Sequence, residues 1–171
     1  ISTFVQCCAY STGQAAQPIL SMNYGAGLGG RIRGVLRCAL AAVAFFSLVW
    51  TALTLAVPEG FIRVFMAPTA AVLAIAPAIF RRYCLSFLLL PLNIFSTYYF
   101  QALMKPGAAF FVSVSRGLVI SGILIHLLPA AFGPDALWLA MPITELLVAV
   151  PVVLLMRRTD RSLPEAGAAA E

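Results

Sequence analysis

Charge is what this chain has least of. Asp, Glu, Lys and Arg make up 10% of its 171 residues, histidine occurs once and tryptophan twice. So few charges cannot coat a soluble fold of this size. The lone His126 has no carboxylate or cysteine company, so it suggests neither a metal site nor a catalytic triad. Cys7, Cys8, Cys38 and Cys84 lie in or beside apolar segments without Cys-x-x-Cys spacing, which supports neither a disulfide framework nor zinc. There are no paired carboxylates, no nucleophile elbow and no His-Glu-x-x-His pattern, so the sequence offers no enzyme chemistry and asks for no cofactor. The glycines from Gly25 to Gly30 follow a helical pattern and no Lys-Ser/Thr comes after them, which argues against a phosphate loop. The net charge of +5 comes from arginines scattered between apolar runs. Without a basic stripe interleaved with aromatics, no nucleic-acid partner is expected.

What is abundant is apolar surface. Hydrophobic residues are 62% of the chain and the mean hydropathy is +0.98, so the expected solvent is a lipid bilayer. The predicted fold class is all-α, a polytopic transmembrane helix bundle of about five spans. They run over residues 1–26, 36–57, 77–104, 108–128 and 136–156. Residues 61–76 are ambiguous, with Phe61, Ile62, Val64, Phe65 and Met66 suited to the interface. Residues 158–171 read as a disordered tail. Ile1 already belongs to an apolar helix, with no charged n-region or cleavage site, so a signal peptide is not expected. The chain reads as part of a longer polypeptide. Arg31, Arg33, Arg37, Lys105, Arg157, Arg158 and Arg161 fall on one side of the membrane, and Glu59, Arg63 and Asp135 on the other. By the positive-inside rule the basic side is cytoplasmic, and the C-terminus with it.

Polar residues inside the spans are the functional candidates, since each is costly in lipid. At about 100° per residue, Thr3, Gln6, Tyr10, Gly13, Gln14, Gln17, Ser21 and Tyr24 share one side of the first span. Gln14 and Gln17, beside Pro18, can face a ligand or a neighbouring helix, while Asn23 and Tyr24 read as structural. Ser47, Trp50, Thr51 and Thr54 share a packing face on the second span. In the third span Arg82, Ser86, Asn93, Thr97 and Gln101 are predicted to fall on one arc facing the bundle interior, with a kink at Pro91. Glu145 is the only carboxylate deep in a span. It is either a proton- or cation-coupling site or half of an ion pair with Arg116 or Arg82.

Gln17-Pro18-Ile19-Leu20-Ser21-Met22-Asn23-Tyr24-Gly25-Ala26-Gly27, followed by arginines, resembles the signature of the MATE (multidrug and toxic compound extrusion) antiporters. Tyr99-Phe100-Gln101-Ala102-Leu103-Met104-Lys105-Pro106 resembles a second pattern of that family. Arg116 is similar to an arginine found at this place in the family, which suggests a structural role. The resemblance implies the later part of a two-bundle transporter in the cell (inner) membrane, multi-pass, with the first bundle supplied by an earlier part of the same polypeptide. It implies efflux of small organic cationic or apolar drugs by alternating access, coupled to H+ or Na+. In many members the coupling acids lie in helices preceding this segment. A lipid-linked precursor flippase of the same wider superfamily and a non-transporting membrane scaffold are the alternatives.

Overall fold

The protein is described here by a computed structural model covering residues 1–65 and 67–163. Among these residues it is all helix and turn. Helix α1 (Ser2–Gly25) passes straight through Pro18. It ends where Gly27 takes φ +68°, a left-handed turn that suits glycine. Helix α2 (Gly29–Ala56) returns, and at about 1.5 Å per residue it outreaches the ~30 Å lipid core. A short helix α3 (Pro58–Phe65) begins on Pro58, whose missing N–H costs nothing in a first turn.

The third span is broken. Helix α4 (Ala70–Tyr83) is capped by Thr69, whose hydroxyl accepts from the Val72 N–H at 3.4 Å. A 3₁₀ turn (Cys84–Leu88) interrupts it before α5 (Leu90–Ala102). Pro91 cannot donate to the Phe87 carbonyl four residues back. That carbonyl and the Leu88 carbonyl instead face the Ser47 hydroxyl of α2, at 2.9 and 2.7 Å. Irregular backbone at membrane depth requires such a partner, and Ser47 supplies it.

The fourth span is α6 (Pro106–Val114), a π-helical turn (Ser115–Val119) and α7 (Ile120–Phe132). A left-handed Gly133 (φ +87°) and a 3₁₀ turn (Pro134–Leu139) lead into α8 (Ala140–Arg161). Among the described residues, four stretches are long and apolar enough to cross a membrane: Gly29–Ala56, Val72–Ala102, Pro106–Phe132 and Pro134–Arg161. These overlap the second to fifth expected spans, the second and third ending one and two residues earlier than expected. The first, α1, has the length at 24 residues, but its amides and hydroxyls make it less apolar. Of the ambiguous stretch, α3 and the start of α4 are helical, and Met66 lies outside the described residues. The expected tail from residue 158 is corrected at its start, where α8 continues to Arg161; its residues 164–171 lie outside the described residues.

Helix α5 is the centre of the packing, touching α1, α2, α6 and α8. Its Phe95, Tyr99 and Phe100, and Leu103 just after it, are fully enclosed. Around them gather Leu20 of α1, Ile32 and Val43 of α2, Val112 of α6 and Val152 of α8. The crossing with α1 is a close one. A Cβ placed on Gly13 would stand 2.7 Å from Tyr98 Cγ, so only hydrogen fits there. Large apolar side chains such as Phe45, Leu48, Phe110, Leu118 and Leu154 point outward. In water they would be a liability, whereas in lipid they are the ordinary outer surface.

Candidate functional site

Three polar side chains from three spans meet inside this apolar packing. Glu145, one and a half turns into α8, has no solvent-exposed surface. Arg116 sits in the π-helical turn between α6 and α7 and donates from Nε to Glu145 Oε1 at 2.8 Å. Asn93 of α5 donates from Nδ2 to Glu145 Oε2 at 2.7 Å and to the Glu145 backbone carbonyl at 2.9 Å. One carboxylate therefore ties α5, the fourth span and α8 together. The π turn inserts an extra residue into the helical repeat, re-aiming a side chain and loosening the ladder locally. Asn93 Oδ1 is buried without a hydrogen-bond partner among the described residues. Of the two arginines considered as partners for Glu145, Arg116 occupies the place. Arg82 is elsewhere, with Nη1 3.3 Å from the Asp135 carbonyl and 4.0 Å from its Oδ2.

The expected single arc on the third span is thus corrected. The 3₁₀ turn at Cys84–Leu88 breaks the helical phase between Arg82 and the residues after it. Ser86 turns back to donate to the Tyr83 carbonyl at 2.7 Å. Asn93 and Gln101, eight residues apart, stay within about 80° of each other on α5, yet their surroundings differ. Asn93 is fully buried against α8, whereas Gln101 is exposed beside α1. Thr97 lies between them and donates to its own helix at the Ile94 carbonyl, 2.7 Å.

The α1 side has a different character. Gln17 Nε2 stands 3.5 Å from Gln101 Oε1, a contact at the limit of hydrogen bonding. Tyr10 and Tyr98 meet edge to face with centroids 6.4 Å apart. Gln14 is exposed on the same helix. Together these residues make an open amide and aromatic face along α1 and α5. Gly13, expected on the polar side of α1, belongs instead to its buried stripe with Val5, Ala9, Ala16 and Leu20, while Phe4 and Ile19 are exposed. Asn23 donates to the Ile19 carbonyl of its own helix at 2.7 Å, and Tyr24 is exposed near the helix end.

At the end of the bundle where α1 turns into α2 lies a network that the sequence reading missed. Arg33 Nη2 reaches the Asp160 and Leu163 carbonyls at 3.2 and 3.5 Å, closing the C-terminus of α8. Its Nε is 3.5 Å from Asp160 Oδ1, an ion pair by distance that is too poorly aligned for a hydrogen bond. Lys105 Nζ donates to Thr159 Oγ1 at 3.0 Å. Asp160 sits between arginines in sequence and reads there as one more stop charge, so nothing local signals its partner 127 residues away. His126 is exposed on α7, and no group of three or more metal-ligating side chains occurs among the described residues. An apolar cavity of about 370 Å³ lies at the opposite end, lined by Ser2, Thr54, Phe61, Phe80, Tyr83 and Trp138 among others.

No family model matches this sequence, and no curated protein sequence matches it. Among solved structures the fold is similar to one described as the outward-facing conformation of a multidrug resistance MATE family transporter of the MOP superfamily. The TM-score is 0.80 at 14% identity, over 93% of this chain and 38% of the other. The chain therefore spans well under half the length of the transporter it matches, and it shares with that part of it a membrane-helix fold.

Proposed function

We propose that this chain is the later part of a secondary active exporter of organic cations and apolar drugs. In this reading, inward movement of H+ or Na+ drives outward release by alternating access. The observation that carries the proposal is the Asn93–Glu145–Arg116 node, a carboxylate held at membrane depth by groups from three helices. A carboxylate so placed is costly and calls for a purpose. Loading Glu145 with a proton or a sodium ion removes its claim on Arg116, so the two loading states favour different packings of α5, α8 and the π turn. The fold likeness supports the transporter class. Gln14, Gln17, Thr97 and Gln101, with Tyr10 and Tyr98, supply an amide and aromatic surface suited to cationic substrates. Arg82 acts as a clamp to Asp135. The substrate path closes against an earlier bundle of the same polypeptide, and the protein sits in the cell membrane with its C-terminus cytoplasmic. A flippase for a pyrophosphate head would need free cations in its cavity, whereas Arg82 and Arg116 are both paired.

The test uses the full-length protein in inverted vesicles, with a fluorescent cationic dye and an imposed proton or sodium gradient. Gradient-driven dye uptake is expected, and it should fall at least about tenfold in a folded Glu145→Gln variant, as for loss of an essential acid–base group. Uptake that survives this substitution would move the coupling acid into the earlier bundle. No gradient-driven movement of any cationic dye would remove the exporter reading.

A further inference from the structure

We propose that the groove between α6 and α8 is a binding site for one anionic phospholipid, with an acyl chain along the groove and the phosphate at Arg158. The groove measures about 530 Å³ and is lined by Ala108, Phe111, Pro151, Leu154, Leu155 and Arg158. Its floor, Ala108 and Leu155, rests on the core, and its mouth opens outward, because Ala109 and Val112 of α6 and Val148, Val152 and Met156 of α8 turn their side chains inward. Ala108 is too small to fill the space between the two helices. Five of the six lining residues are apolar, and the sixth is a cation at one end. That is the polarity of a single phospholipid.

Among the described residues, the charge at that end has no carboxylate partner. Arg158 is exposed in the last turn of α8. Among the described carboxylates, Glu145 is taken by Arg116 and Asp160 by Arg33, while Asp135 lies at the far end with Arg82. Glu59 opens α3, also at the far end. Lys105 is held next door through Thr159, and Arg157 is exposed beside it. The opening turn of α6 lies at the same level and adds its positive partial charge. A basic pocket between transmembrane helices at the headgroup level selects phosphate-bearing anionic lipids. A free phosphate would leave the apolar length of the groove unused, and a zwitterionic lipid would bring its own ammonium against Arg158.

The experiment is native mass spectrometry of the delipidated full-length protein, offered phosphatidylglycerol and phosphatidylcholine in equal amounts. Phosphatidylglycerol should be retained about fivefold over phosphatidylcholine, as expected for one added cation contact near the surface. Arg158→Ala should bring the two lipids level, while Arg161→Ala, an exposed cation outside the groove, should leave the preference intact. Leu154→Trp fills the groove from an exposed position and should reduce retention with Arg158 still present. Excess glycerol phosphate should fail to displace the lipid. Equal retention of both lipids by the native protein would overturn the proposal. So would equal effects of Arg158→Ala and Arg161→Ala, or displacement by glycerol phosphate.

Discussion

Ser47 and Arg116 each satisfy something that lipid cannot. The Ser47 hydroxyl has one proton and two acceptors, the carbonyls of Phe87 and Leu88, which the break before Pro91 leaves open. Ser47→Ala removes the donor and keeps the acceptors, so destabilisation of about 1–3 kcal/mol is expected, the penalty of a buried unsatisfied group. Ser47→Thr, which keeps the hydroxyl, should recover part of it; the readout is reversible unfolding in detergent. At Arg116 the stake is larger. Arg116→Met leaves Glu145 with Asn93 alone and should cost about 3–5 kcal/mol, whereas Arg116→Met combined with Glu145→Gln should restore most of it. A double variant that is no more stable than Arg116→Met would show that the charge balance is not what holds the three helices together. The sequence already marked Glu145 as needing a partner, because a lone carboxylate in a span has few ways to survive. Which arginine it took was not legible, since the choice depends on a π-helical turn that Ser115-Arg116-Gly117 does not announce.

At the scale of the elements, the close crossing of α1 and α5 sets the geometry of the open amide face. Gly13 allows it by having no Cβ, with the Tyr98 ring directly above. The near end of that ring cannot swing aside, because Cγ is fixed to the backbone by a single Cβ. Gly13→Ala should therefore cost about 1–3 kcal/mol, as overpacking does. It should also separate Gln17 from Gln101, which a cysteine pair at these two positions reports as slower crosslinking. Unchanged stability and crosslinking would mean that the helices can part at no cost. Helix periodicity groups the polar residues of α1 and the third span by phase, and the structure distributes them over different neighbours. A period of 3.6 holds only while the helix is unbroken, and the 3₁₀ turn at Cys84–Leu88 resets it. Pro91 gave warning of a kink; it could not say that Arg82 and Asn93 would end on different neighbours.

For the whole molecule, the ends of the helices sort themselves without reference to a membrane. Lys105 bonds to Thr159 and Arg33 to the C-terminal turns of α8, so the α1–α2 turn, the α5–α6 turn and the end of α8 share one end. Arg82 and Asp135 bring α4 and the α7–α8 turn to the other. This grouping could be counted from the sequence, because spans long enough to cross must alternate in direction. We propose the direction from charge: Arg31, Arg33, Arg37, Lys105, Arg157, Arg158 and Arg161 gather at the first end, against Arg63, Arg81 and Arg82 at the second. Positive charge is retained on the cytoplasmic side. In a background with Cys7, Cys8, Cys38 and Cys84 replaced, Asp135→Cys should react with a membrane-impermeant maleimide in intact cells. Ser162→Cys and Met104→Cys should react only after the membrane is opened. The reverse pattern would invert the orientation and put the Arg158 groove in the outer leaflet. Labelling of all three from one side would contradict the crossing of α8, a single helix whose apolar length leaves Asp135 and Ser162 no means of meeting the same water.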